Sequence, residues 1–133
     1  MLLFCGGCGK PQLSESMISG AQSAYTDAID AWKAKDYSTA VENFDLAIQD
    51  QGLDADQFCE ALLRRAECHV ELGHVDEAAA DLETIADRVP QMDQFHLVRC
   101  KLYAKQGDSA KAQAEFEEAR KINPQVERPA ALN

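Results

Sequence analysis

Apolar residues recur along this chain as stripes separated by short polar turns, and the stripes themselves repeat. Gly73 returns as Gly107, Ala78 as Ala112, Leu82 as Phe116 and Pro90 as Pro124, each pair 34 residues apart. The same stripe runs back to Ala40, Phe44 and Ala47, 38 residues before Ala78, Leu82 and Ile85, so four extra residues sit in the connection near Gln49 to Ala55. Apolar positions three and four apart describe one face of a helix. A period of this length marks helix-turn-helix units that bury their faces against one another. The pattern predicts three copies, at about 21–52, 59–90 and 93–124.

Start and stop signals place the helices. Ser14 or Ser16 offers a side-chain oxygen to an unpaired backbone N–H and starts the first helix, which should reach Lys33 or Ala34. Asp36 caps a partner from about Tyr37 to Asp50, with Ala40, Val41, Phe44 and Ala47 on its core face, and Gly52 is expected to end it. The second copy starts near Asp54, turns at Gly73 and closes with Ala78, Leu82 and Ile85 before Pro90 stops the helix. The third begins at about Met92 and turns at Gly107; Asp108 caps a last helix with Ala112, Phe116, Ala119 and Ile122 inward. Residues 125–133, QVERPAALN, carry no periodicity and are expected to be disordered. The array then lacks the polar capping helix that normally covers its last face. Either Glu115, Glu118 and Lys121 give the last helix a polar outside, or that face docks onto something, a second copy included.

The small-x-x-x-large step in the second helices (Ala40/Phe44, Ala78/Leu82, Ala112/Phe116) and the Lys-Asp or Gly-x turns resemble the tetratricopeptide repeat over roughly residues 20–124. The first helices carry that family's pattern in degraded form, as Ala24, Asp27, Ala28 and Ala31, then Leu62, Arg65, Ala66 and His69, then His96, Arg99, Cys100 and Tyr103. The small residue is kept and the apolar Leu is lost, so a polar seam such as Arg65 to Asp81 is expected to replace it. The resemblance implies an all-α fold, a right-handed α-solenoid of three helix-turn-helix repeats and six helices over residues 14–124. It also implies a non-enzymatic scaffold that binds a protein or peptide in its concave groove.

In such an array the residue after each first-helix core position turns about 100° around the helix toward the groove. That set is Tyr25, Ile29 and Trp32, then Leu63, Glu67 and Val70, then Leu97, Lys101 and Ala104, flanked by Lys33, Glu71 and Lys105. Tyr25 and Trp32 are the expected anchors, because large aromatics supply much of the energy at interfaces. A second reading stands beside this one: the stripe Ala24, Ala28 and Ala31 is all alanine, so Tyr25, Ile29 and Trp32 are themselves the core. Some repeat domains of this family hold a chaperone's terminal carboxylate with Lys, Asn and Arg; the corresponding positions here are Tyr25, Ile29, Arg64, Gln94 and Val98, and the clamp is not expected.

Residues 1–13 differ in kind, being short, apolar and Gly-rich with two of the five cysteines. Leu2, Leu3 and Phe4 followed by Gly7-Cys8 resemble the end of a bacterial lipoprotein signal, with Cys8 as the lipidated residue and the cell envelope as the destination. Against this, no Lys or Arg precedes the apolar run, and the run is short; the alternative destination is the cytoplasm. Cys5 and Cys8 also have the spacing of half a zinc site, which makes a small zinc-binding or redox protein the rival function. The third reading is an inert leader.

Composition changes the picture in one respect. A net charge of −10, from 23 acidic and 13 basic residues, disfavours nucleic acid as a partner. No catalytic constellation and no cofactor motif emerges. His69 and His96 fall on core-type positions and His74 in a turn where it would cap a helix. His96 and Cys100 with Cys68 and His69 are the remaining groups with zinc-ligand chemistry, although such cysteines also read as small buried apolar residues.

Overall fold

The computed structural model describes residues 12–133. Six α-helices follow one another: α1 (Glu15–Lys33), α2 (Tyr37–Gln49), α3 (Ala55–Leu72), α4 (Val75–Ile85), α5 (Met92–Lys105) and α6 (Ser109–Ile122), then a single 3-10 turn, Ala130–Leu132. The caps form as their chemistry dictates. Ser14 Oγ accepts from Met17 N, Asp36 from Thr39 N and Asp108 from Lys111 N. At α3 the cap is reciprocal, because Gln57 N donates to Asp54 Oδ1 at 2.8 Å and Asp54 N donates to Gln57 Oε1 at 3.2 Å.

The repeat spacing of the turns has a backbone cause. Gly73 and Gly107 sit at φ 81° and 79°, the left-handed region that ends a helix and that glycine enters without strain. The matching position of the first repeat is Lys35, which adopts φ 61° with a side chain attached. Gly52 plays a different part from the one expected. Gln51, at φ 55°, makes the left-handed step after α2, whereas a Cβ on Gly52 would lie 2.7 Å from Ile18 Cα and 2.8 Å from Ala21 Cβ. Gly52 is therefore where the connection passes against α1.

Each helix packs on the next as a hairpin, and α1, α3 and α5 stack side by side along one face while α2 and α4 lean on the following repeat. The small position of the three first helices is fully buried at Ala28, Ala66 and Cys100, which lets neighbouring backbones approach. Three apolar clusters follow the repeats. Ala28, Ala40, Phe44, Ala61 and Cys68 form the first. Leu62, Leu63, Val70, Leu82, Phe95 and Val98 belong to the second, and Cys100, Ala112 and Phe116 make the third. In α5 the deep stripe is Phe95, Val98 and Leu102, so His96, Arg99 and Tyr103 are only half-buried. Ile122, expected inside, is 52% exposed because α6 ends there and the chain turns away.

The expected polar seam is present. Arg65 Nε and Nη2 reach Asp81 Oδ2 and Oδ1 at 2.8 and 2.6 Å, and Arg65 Nη1 reaches Asp45 at 2.7 Å. A guanidinium fork on a carboxylate satisfies both partners, which is what a nearly buried Asp81 requires.

Residues 125–133, expected to be disordered, fold back over α5 and α6. Val126 and Leu132 pack on Cys100, Ala112 and Phe116, Pro129 is buried, and Arg128 lies 5.6 Å from the Phe116 ring. Three apolar side chains, at positions 126, 129 and 132, are enough to cover the end of the third cluster. The tail thus stands where a capping helix was expected to be missing.

Candidate protein-binding face

Side chains from α1, α3 and α5 meet along the face these helices share, and at one offset they form a ladder. Gln22 and Gln57 exchange hydrogen bonds of 2.7 and 2.9 Å, Tyr25 donates to Glu60 at 2.8 Å, and the Trp32 indole N–H donates to Glu67 Oε2 at 3.0 Å. Each of these pairs is 35 residues apart. Arg64 lies over the Trp32 ring, 4.3 Å from its centroid, between Glu60 and Glu67 at 3.8 and 3.6 Å. Tyr25, Ile29 and Trp32 are half-buried against the first cluster. Burial, reinforced by the hydrogen bond to Glu60, pushes the Tyr25 phenol well above its ordinary value. Tyr25, Ile29 and Trp32 thus pack against the first cluster, and the polar atoms of Tyr25 and Trp32 are taken up within the chain.

Within α3 the groove set is corrected at one position. Leu63 is 0% exposed in the second cluster, because α3 is covered on both sides and turns it inward, whereas Val70, 1% exposed in the same cluster, also lines the floor of the groove described below. Glu67 faces the groove, and Lys101 crosses from α5 to meet it at 2.6 Å and Glu71 at 3.7 Å. Burial alone would lower the Lys101 pKa; the two carboxylates outweigh it and raise it. Leu97 and Ala104 are half-buried against the third cluster.

Between α3, α5 and the returning tail lies an open groove of about 850 Å³. Gln94, Leu97 and Lys101 line one side of it, Val126, Arg128 and Ala130 the other, and Lys35 and Lys105 also border it. Asn123 Nδ2 donates to Asp93 at 3.0 Å, which ties the start of the tail to α5 and holds the Asp93 carboxyl below its usual range. The tail wall was missed in the sequence; the apolar spacing of Val126, Pro129 and Leu132 was the signal available for it.

The remaining chemistry is structural. His69 and His74 approach Nδ1 to Nδ1 at 3.3 Å, and His74 makes no side-chain cap on α4. His96 and Arg99 both hold Glu115, at 2.7 and 2.9 Å, which joins α5 to α6. Cys68 and Cys100 belong to different clusters, and burial pushes the Cys68 thiol up to about 12. Among the described residues no group of three or more His, Cys, Asp or Glu side chains converges as a metal site, and no helix is long and apolar enough to cross a membrane. Cys5 and Cys8, and with them the lipid and zinc readings, lie outside the described residues.

Six helices stacked as three hairpins with small residues at the contacts define a tetratricopeptide-like α-solenoid. A solved structure agrees: the Arabidopsis OM64 TPR domain superposes with a TM-score of 0.67 over 84% of this chain and 88% of that one, at 20% sequence identity. The family is shown by a sequence model: residues 8–124 match the bacterial transcriptional activator domain, and the chain belongs to that family. A comparison with curated proteins found no match.

Proposed function

We propose that this chain is a non-catalytic, protein-binding regulatory module that takes a segment of a partner protein in the groove between α3, α5 and the tail. The observation that carries the reading is the groove itself, about 850 Å³, with apolar, amide and charged side chains side by side. Apolar surface supplies affinity and a few placed polar groups fix orientation. The helical-repeat fold supports binding over chemistry by analogy. The family description points to transcriptional activation. A chain of net charge −10 suits a part in that process played through protein contact and not through DNA phosphates. Tethering through a lipid on Cys8, at the cell envelope, remains a separate proposal, tested by the intact mass of the protein isolated from its native host.

The groove is tested by selecting binders from a displayed peptide library and measuring their affinity for two variants. Gln94→Trp, which fills the groove, should weaken binding at least tenfold; Glu42→Trp, on the exposed face of α2, should leave it unchanged. Equal effects of the two, with helicity retained, would place the binding surface elsewhere.

A further inference from the structure

Charge around the groove is distributed differently from charge on the rest of the chain. Of the cations among the described residues, Arg64, Arg65, Arg99, Lys101, Lys111, Arg120 and Lys121 have a carboxylate within 4.0 Å. Those without one are Lys33, Lys35, Arg88, Lys105 and Arg128. Three of these five, Lys35, Lys105 and Arg128, line the groove. In a protein with 23 acidic residues against 13 basic ones, cations left without a carboxylate are the scarcer sign, and here they gather on one concave surface. Lys101 lies between them with its charge already matched by Glu67 and Glu71. Arg128 is positioned by its hydrogen bonds to Gln113 Oε1 and Leu132 O, at 3.3 and 3.2 Å, and by the Phe116 ring; neither oxygen neutralises it.

Resting on the groove reading above, we infer that the partner segment is acidic: an extended stretch of protein carrying Asp or Glu side chains for Lys35, Lys105 and Arg128, and small apolar side chains for the surface of Leu97, Val126 and Ala130. Spaced carboxylates match spaced cations, and the approach of such a segment is favoured within about 10 Å at 0.1 M salt. Gln94 and Gln125 add amides that suit the free N–H and C=O groups of an extended backbone, which a helical ligand would keep to itself. Glu67, Glu71 and Glu127 border the same groove, so a continuous run of phosphates would meet carboxylates between the cations. This favours a peptide over a nucleic acid.

The test uses the charge of the peptides selected on the full chain, with an unlabelled twelve-residue oligothymidylate as a rival ligand. Lys35→Asn keeps a residue type that tolerates φ 61°, and Lys105→Gln keeps a good helix former at the end of α5. The expected result is enrichment of Asp and Glu over the input library, with affinity falling about fivefold for each variant and less at high salt. Enrichment of Lys and Arg, no charge bias, affinity indifferent to both variants, or tighter binding of the oligothymidylate would each overturn the acidic partner. The groove reading is judged separately by Gln94→Trp: acid-neutral peptides that still lose binding to it leave the groove standing without the acidic partner.

Discussion

The two junctions between first helices are built on opposite plans. From α1 to α3 cross three hydrogen-bonded pairs, Gln22–Gln57, Tyr25–Glu60 and Trp32–Glu67, with Arg64 laid over the indole. From α3 to α5 the polar link is Lys101 on Glu67 and Glu71, above the apolar contact of Phe95, Val98 and Leu102. The first junction has its aromatic and polar atoms engaged with one another, while the second opens into the groove and keeps cations without a carboxylate beside it. Large aromatics on a first helix are therefore no sign of a free surface: Tyr25 and Trp32 are engaged within the fold, and the groove lies beside side chains that are not aromatic.

The largest effect should come from Trp32→Ala, which removes an indole packed on the first cluster, its hydrogen bond and its cation contact. About 3 kcal/mol of stability should be lost in urea unfolding, toward the low end for such changes because the ring is only half-buried. Partner affinity at the groove should be little altered once the variant is folded; a selective loss of binding with unchanged stability would reverse the comparison. Removal of residues 125–133 sharpens it from the other side. Losing Val126, Pro129 and Leu132 should cost about 2 kcal/mol, abolish groove binding and speed labelling of Cys100 by a thiol reagent, with α1 to α4 unaffected in their exchange rates.

Smaller changes separate hydrogen bonding from packing. Tyr25→Phe keeps the ring and leaves Glu60 without its donor, for about 1 kcal/mol. Lys101→Met, which keeps the aliphatic stem between α5 and α3, should cost about the same or less while leaving Trp32 fluorescence unchanged. The last is a pH effect. Burial lowers the His69 pKa below 6.5, with Asp81 and Glu77 opposing and Arg65 and His74 adding to the shift. The folded state therefore favours neutral His69, so its contribution is complete above pH 6.5 and is lost as pH falls through the lower folded value. The melting temperature should fall across that window, and His69→Gln should flatten the fall; a flat profile in the parent protein would contradict the preference of the buried site for neutral His69.

Much of this architecture was legible in residue spacing. The 34-residue return of Gly73 as Gly107 marked turns that need a left-handed residue, and the Ala40/Phe44 step marked the second helices, because both are set by local geometry. The Arg65–Asp81 seam followed from an arginine standing where an apolar residue was expected. What spacing did not reveal was rotation: Leu63 is covered and Val70 is held at the floor of the groove because a middle helix has partners on both sides, so an outward register cannot be read from one helix alone. Gly52 was read as a stop signal when its cause is the passage of α1 beside it, a contact distant in sequence. The tail was read by its lack of period, and three apolar residues on an already folded face need no period to pack.

Partner binding should occupy the groove between α3, α5 and the tail and leave the α1–α3 junction closed. Amide hydrogen exchange on the full chain, with and without a selected acidic peptide, separates the two surfaces. Exchange should slow within residues 94–105 and 125–131 and stay unchanged across residues 22–32. Protection of residues 22–32 with residues 94–105 and 125–131 unchanged would contradict binding in the groove and return Tyr25 and Trp32 to the role of anchors.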